Sequence, residues 1–177
     1  MMTPLTIKTA DGTSFEVDFD VARQSQTIRT MLDDINIDES TDGEKLLPLT
    51  NEEVTGPVFK KALTWMEKHR GNPEVKWPEE DEDELKPKDH VSLSQLNDWE
   101  KEYIKMPVSE MFPLLITGNF LEIKGLLRLM VKAVALEIQG KSVEEIRKTF
   151  DIEDPKWTPE ELQKLKDENA WAYETKK

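Results

Sequence analysis

Residues 118–150, GNFLEIKGLLRLMVKAVALEIQGKSVEEIRKTF, decide how the second half of this chain folds. The apolar residues between 123 and 139 recur at helical spacing, but they cover more of the helix circumference than one surface stripe needs. We therefore expect most of this helix to be covered, either by the protein's own core or by a partner. Gly140 is a natural residue to end the helix, and Ser142 with Glu145 forms a capping box for the next one.

A second capping box follows, in which Thr158 and Glu161 predict the start of a last helix with Pro159 in its first turn. Both C-terminal helices are short. Because isolated helices of this length are marginal in water, we expect their apolar faces to dock on something. The candidate docking residues are Ile146, Phe150, Leu162, Leu165 and Trp171.

The first half of the chain predicts a mixed α/β structure. Apolar and polar residues alternate on both sides of Asp11-Gly12, which indicates a β-hairpin over residues 5–18. Apolar residues at helical spacing then predict a helix over 21–34, and a short strand follows over 45–50.

The next helix is predicted to begin at Pro57, with Thr50 and Glu53 as a candidate capping box ahead of it. Phe59 and Trp65 are predicted to lie in the core of this half. Short strands that alternate with helices are typical of the α/β class.

Residues 71–98 interrupt the pattern. They contain three prolines and an unbroken acidic run at 79–84, and nine acidic residues stand against three basic ones, a net charge of −6. Like-charge repulsion and proline both oppose packing, so we predict a disordered linker. The alternative is an acidic segment that recruits a basic partner.

The chain after the linker is predicted to be helical. Trp99 and Tyr103 lie four residues apart on a short helix that Pro107 ends. A further helix over 108–121 contains Pro113, which we expect either in its first turn or at a kink.

Charge and composition exclude several classes of function. The 177-residue chain has a formal charge of −13, which disfavours binding to nucleic acid or to an anionic membrane surface. It has no cysteine, so disulfides, thiolate zinc sites and cysteine nucleophiles are excluded. No apolar run approaches the roughly 20 residues of a membrane span, and the opening residues do not resemble a signal peptide. A cytoplasmic or nuclear protein is the simplest interpretation.

Residues that could carry out chemistry are scarce. The two histidines, His69 and His90, have no partner at a spacing that suits a metal site or a nucleophile and base, and we expect both to be solvated. No phosphate-cradling glycine loop is present. The residues therefore predict a binding module without catalytic residues, metal or cofactor.

Six segments of this chain resemble the Skp-one family, the adaptor subunits of SCF (Skp–cullin–F-box) ubiquitin ligases, in their order and approximate spacing. They are IKTADGTSFEVD at 7–18, QTIRTML at 26–32, FKKALTW at 59–65, NFLEIKGLL at 119–127, GKSVEEIRKTF at 140–150 and ENAW at 168–171. The resemblance covers nearly the whole chain outside the acidic linker.

The resemblance implies a BTB/POZ fold followed by a helical extension that binds F-box proteins. On that basis residues 1–70 and 99–139 form the BTB/POZ fold around the linker at 71–98, and residues 140–177 form the extension. Two sets of partner-binding residues are implied. The F-box set is Leu126, Leu127, Val131, Val134, Ile138, Ile146, Phe150 and Trp171. The cullin set is Asn119 and Phe120, to which helical spacing adds Phe112 and Ile116.

The implied mechanism is scaffolding, in which a non-catalytic adaptor holds an F-box receptor on a cullin and so raises the local concentration of substrate. A weak homodimer through the BTB/POZ surface is a further expectation for the unbound chain. The alternative is an elongin-C-like or other BTB adaptor for a different cullin and receptor, which would lack the two capped C-terminal helices. A ubiquitin-like domain would explain the first hairpin but not the helical half.

Overall fold

The computed structural model describes residues 5–38, 40, 45–71, 93–153 and 156–169. The acidic run at 79–84, His90 and Trp171 lie outside the described residues. The strands are β1 Leu5–Lys8, β2 Ser14–Val17 and β3 Leu46–Pro48. The helices are α1 Phe19–Ala22, α2 Gln26–Asp34, α3 Gly56–Lys68, α4 Asp98–Tyr103, α5 Val108–Phe120, α6 Lys124–Ile138, α7 Val143–Thr149 and α8 Pro159–Glu168.

The predicted hairpin is confirmed. β1 pairs antiparallel with β2 and parallel with β3, in the strand order β2-β1-β3. Gly12 takes a φ of +85° in the connecting turn, a conformation that glycine adopts without strain. The carboxylate of Asp11 accepts hydrogen bonds from the Thr9 hydroxyl at 2.6 Å and from the Thr13 N–H at 3.1 Å.

The start of α3 differs from the prediction. Asp11 also accepts the N–H of Gly56 at 2.8 Å, so the hairpin turn supplies the acceptor for the first turn of this helix. The candidate capping box of Thr50 and Glu53 is wrong, because α3 begins only at Gly56 and the Glu53 N–H is bound instead by Asn51 at 2.9 Å. The hydrogen bonds from the Thr9 hydroxyl, the Gly56 N–H and the Thr13 N–H to Asp11 hold the pKa of this carboxyl well below its usual range.

The helix predicted over 21–34 is divided in two. Ser25 lies between α1 and α2 and caps α2, because its hydroxyl oxygen accepts the Ile28 N–H at 3.1 Å. The same hydroxyl donates to the carbonyl of Leu121, at the C-terminal end of α5. Ser25, at the break between α1 and α2, therefore links the start of α2 to the C-terminal end of α5.

The last residues of the predicted linker, 93–98, are described by the structure and are folded. Residues Leu93–Gln95 form a 3-10 turn, Leu96 is buried, and Asn97 forms a capping box with Glu100 at the start of α4. Tyr103 anchors α4 on α3 by donating its hydroxyl to the Lys61 carbonyl at 2.8 Å. Burial raises the pKa of this phenol.

The core lies between the sheet and helices α3, α5 and α6. Phe59 and Trp65 are buried as predicted. Pro113 is inside α5 rather than in its first turn. The largest fully buried apolar residues also include Leu5, Ile7, Ile28, Leu32, Leu47, Leu49, Met66, Leu114, Leu121 and Ile123.

The chain divides into two compact units, Met1–Gly140 and Lys141–Lys177. The division falls one residue after the predicted boundary between 139 and 140. Gly140 follows α6 with a φ of +77°, as expected of a residue that ends a helix. Both predicted capping boxes are confirmed, Ser142 with Glu145 on α7 and Thr158 with Glu161 on α8.

Candidate partner-binding surfaces

Helix α6 carries two different apolar faces within the first unit. One face is core and consists of Leu126, Leu129, Met130 and Ala133, all buried. The other, which we name the α6 stripe, consists of Leu127, Val131, Val134 and Ile138. Their spacing of four, three and four residues places them along one side of the helix. Val131 is 50% exposed and Ile138 40% exposed, whereas Leu127 and Val134 are half-buried.

Leu126 belongs to the core face rather than to the α6 stripe. Its side chain is fully buried in this structure and contacts the core. Leu126 precedes Leu127 by one residue, a rotation of about 100° on a helix, which explains why neighbours in sequence face different surroundings. We therefore leave Leu126 out of the candidate F-box surface.

Helix α5 presents a second exposed face, which we name the α5 face. Phe112, Ile116 and Asn119 are exposed and follow one another at spacings of four and three residues. Phe120, the fourth residue of the predicted cullin set, is half-buried and packs against the core. The candidate cullin surface thus contains three of its four predicted residues on one exposed face.

Contacts from two other helices hold α5 in place. The hydroxyl of Thr27 on α2 donates to the Phe120 carbonyl at 2.6 Å, next to the bond from Ser25 to Leu121. These bonds satisfy carbonyls that the end of a helix leaves open. At the other end, Lys61 on α3 forms an ion pair with Glu110 in the first turn of α5. The α5 face is therefore carried by a helix that is fixed at both ends.

The described part of the C-terminal unit exposes most of its apolar residues. Neither α7 nor α8 has a buried residue, and Ile146 and Phe150 are half-buried. A sequence-based search for sites missed Trp157, which is 46% exposed. The signal that could have found it is a hydrophobic staple, since Trp157 precedes the N-cap Thr158 and Leu162 is the fourth residue of the helix. The exposed apolar residues here are Val143, Ile152, Trp157, Leu162 and Leu165.

The capping boxes shift the pKa of their glutamates. The Glu145 carboxylate accepts the Ser142 N–H at 2.8 Å, and the Glu161 carboxylate accepts the Thr158 N–H at 2.8 Å. Hydrogen bonds to the ionised form stabilise it, so the pKa of each glutamate is lowered. Both helices therefore start best with these carboxylates ionised.

His69 is not the solvated histidine that the sequence suggested. It is half-buried, stacks on the Trp65 ring with centroids 4.0 Å apart, and places Nδ1 2.8 Å from the Trp65 carbonyl. Among the described residues, no group of three or more His, Asp or Glu side chains could hold a metal ion. None of the described helices is long and apolar enough to cross a bilayer.

Two family models match this chain. The model described as "Skp1 family, tetramerisation domain" matches residues 3–71, and the one described as "Skp1 family, dimerisation domain" matches residues 124–172. The second match includes α6, which in the structure belongs to the first compact unit.

Similar proteins are found in animals and fungi. A Skp1-related protein of Caenorhabditis elegans is 36% identical over 94% of this chain and 89% of the relative. A protein of Aspergillus flavus and one of Aspergillus oryzae, each named E3 ubiquitin ligase complex SCF subunit sconC, are 36% identical over 97% of this chain and 98% of the relative.

Proposed function

The chain belongs to the Skp1 family, and on that premise we propose that it is the adaptor subunit of an SCF-type cullin–RING ubiquitin ligase. It would connect a cullin to F-box substrate receptors for protein ubiquitination. The observation that carries this proposal is the pair of exposed apolar faces, the α5 face and the α6 stripe, on consecutive helices whose opposite sides already fill the core. Such faces are typical of surfaces that bind other proteins.

The F-box receptor is proposed to bind the α6 stripe. Burying a half-exposed row of aliphatic side chains is a source of binding free energy that requires no change in the core. Ile146 and Phe150 of the C-terminal unit belong to the same proposal, because both are apolar and neither is fully buried. Trp171, outside the described residues, remains a predicted anchor for the receptor.

The cullin is proposed to bind the α5 face. Phe112 and Ile116 supply exposed apolar surface, and Asn119 supplies an amide that can donate and accept hydrogen bonds. Phe120 belongs to the predicted cullin set, but it packs against the core, so we assign it the role of supporting the α5 face from below.

The protein itself is proposed to perform no bond chemistry. Its contribution would be to hold the receptor and the cullin together, so that substrate lysines meet the ubiquitin-loaded enzyme at a raised effective concentration. A chain without cysteine suits the reducing cytoplasm and nucleus, the compartments that we propose for it. The two capped helices α7 and α8 disfavour the elongin-C-like alternative. Weak self-association of the unbound chain stays a prediction.

Reconstituted ubiquitination tests the proposal. The cullin–RING enzyme, an F-box receptor and its substrate are combined with and without this chain. We expect substrate ubiquitination only when the chain is present, and we expect Ile116→Asp and Val131→Asp to abolish it for different reasons, the first by loss of cullin and the second by loss of receptor. Full ubiquitination without the chain would overturn the proposal, and so would full ubiquitination when either variant, tested separately, replaces the chain.

A further inference from the structure

A recess on the first unit combines basic and aromatic side chains. It has a volume of about 240 Å³, and its walls include Trp65 and His69 from α3, Glu100 from α4, and Gly125, Arg128 and Lys132 from α6. We name it the basic recess. It lies along a face of α6 that differs from the α6 stripe, since Gly125, Arg128 and Lys132 are spaced by three and four residues on another side of the helix.

The two cations of the basic recess have no counterion among the residues that the structure describes. Arg128 and Lys132 are half-buried, and neither forms a hydrogen bond or an ion pair with any residue that the structure describes. Partial burial of a charge without a partner costs free energy, which an anion in the recess would recover.

The acidic group of the recess is already engaged. The Glu100 carboxylate accepts the Asn97 N–H at 2.8 Å in the capping box of α4. Within the described residues, Glu100 forms no ion pair with Arg128 or Lys132. Among the recess residues named above, two cations stand against this one carboxylate.

His69 adds a third nitrogen group in a fixed orientation. A carbonyl oxygen only accepts, so the Nδ1 of His69 donates to the Trp65 carbonyl and Nε2 is the ring nitrogen left for another contact. Stacking on Trp65 and an edge contact with Trp99, at a centroid distance of 5.5 Å, fix the plane of the ring. The ring therefore forms a fixed wall of the basic recess.

We propose that the basic recess binds a phosphate group. A guanidinium fork and an ammonium group together offer more donors than the two oxygens of one carboxylate can accept, whereas phosphate presents three or more oxygens. The recess is large enough for this group and its bound water. The phosphate would come either from inorganic phosphate or from a phosphorylated side chain of a bound peptide. This inference does not depend on the proposed adaptor function, because it uses neither the α5 face nor the α6 stripe.

Titration of the full ¹⁵N-labelled chain with inorganic phosphate, at constant ionic strength, tests the proposal by NMR. We expect shifts concentrated at the Trp65 indole N–H and at the amides of residues 125–132. The double variant Arg128→Gln/Lys132→Gln should weaken binding about tenfold or more, because it removes both charged donors. The matched control Lys124→Gln/Lys148→Gln changes the net charge equally at two exposed lysines and should bind like the original chain.

A second titration distinguishes the sources of phosphate. It uses a short phosphoserine peptide and its unphosphorylated form. Binding of the phosphopeptide with the same shifts, and without binding of the unphosphorylated form, supports a phosphorylated partner. If inorganic phosphate binds and the phosphopeptide does not, the result supports the free ion as the ligand of the basic recess.

Three results would overturn the proposal. The first is an equal loss of binding in both double variants, which would show that phosphate binding depends only on the net charge of the chain. The second is unchanged binding in Arg128→Gln/Lys132→Gln. The third is binding that is seen only after the six acids at 79–84 are replaced by amides, which would assign the recess to the chain's own carboxylates.

Discussion

The variant Val131→Asp tests whether the α6 stripe binds a partner or only stabilises the fold. Val131 lies near the middle of α6 and half of its side chain is exposed. Asp and Val have similar intrinsic helix propensities, so we expect the free energy of unfolding of the free chain to change by about 0.5 kcal/mol or less. The receptor complex should respond much more strongly.

The expected loss of affinity follows from two contributions. Fully burying a valine side chain is worth about 1.5–3 kcal/mol, so the half that is still exposed should contribute about 0.8–1.5 kcal/mol to binding. Desolvating a carboxylate without a partner adds roughly 1–3 kcal/mol. The sum of about 2–4.5 kcal/mol corresponds to an affinity for the F-box receptor weakened about 30- to 1,600-fold.

Isothermal titration calorimetry with an F-box receptor measures the affinity, and thermal unfolding measures the stability. Leu126→Ala is the matched control on the core face of the same helix. It should lower the stability of the free chain by about 2–5 kcal/mol, because Leu126 is fully buried, and leave the α6 stripe intact. The reasoning is refuted if Val131→Asp binds the receptor normally, or if it destabilises the free chain as much as Leu126→Ala does.

Three further predictions concern the α5 face and the capping boxes. Ile116→Asp should weaken cullin binding about tenfold or more while F-box binding is kept, and calorimetry showing equal loss of both partners would contradict the division of surfaces. Ser142→Ala removes the N-cap of α7, so the amides of α7 should exchange hydrogen several-fold faster while those of α6 are unchanged; unchanged exchange in α7 would contradict the cap. The lowered pKa of Glu161 contributes stability to α8 above the ordinary glutamate value of 4.5, and this stability is lost as the pH falls. The protection of the α8 amides, measured as their exchange rate relative to that of an unfolded chain at the same pH, should therefore fall on acidification, and Glu161→Gln should remove that dependence; equal pH dependence of protection in the variant would refute it.

Local patterns were sufficient for much of the fold. The hairpin around Asp11-Gly12, the end of α6 at Gly140 and the capping boxes at Ser142 and Thr158 each depend on residues within a few positions of one another. Such signals are visible in a sequence because the interacting groups are neighbours along the chain. The residues of the α6 stripe came from the F-box set that the family resemblance implied, because helical spacing alone showed only that α6 carries more apolar surface than one stripe needs.

Contacts between distant segments account for what the sequence did not predict. Asp11 caps the start of α3 from 45 residues away, and Ser25 divides α1 from α2 while its hydroxyl binds a carbonyl 96 residues on. Leu126 and Leu127 are equally apolar, and only the packing of α6 shows which of them is core. His69 was predicted to be solvated because it has no partner at a spacing that suits a metal site or a catalytic pair, yet its ring contacts Trp65 and Trp99.

Sedimentation velocity on an equimolar mixture of this chain, an F-box receptor and a cullin tests the adaptor role most directly. Because the proposed cullin and receptor surfaces are different faces of different helices, we expect one species whose mass equals the sum of all three proteins. We also expect the cullin and the receptor to sediment separately when the chain is left out. Mutually exclusive complexes, with the chain bound to either the cullin or the receptor but never to both, would contradict the adaptor role.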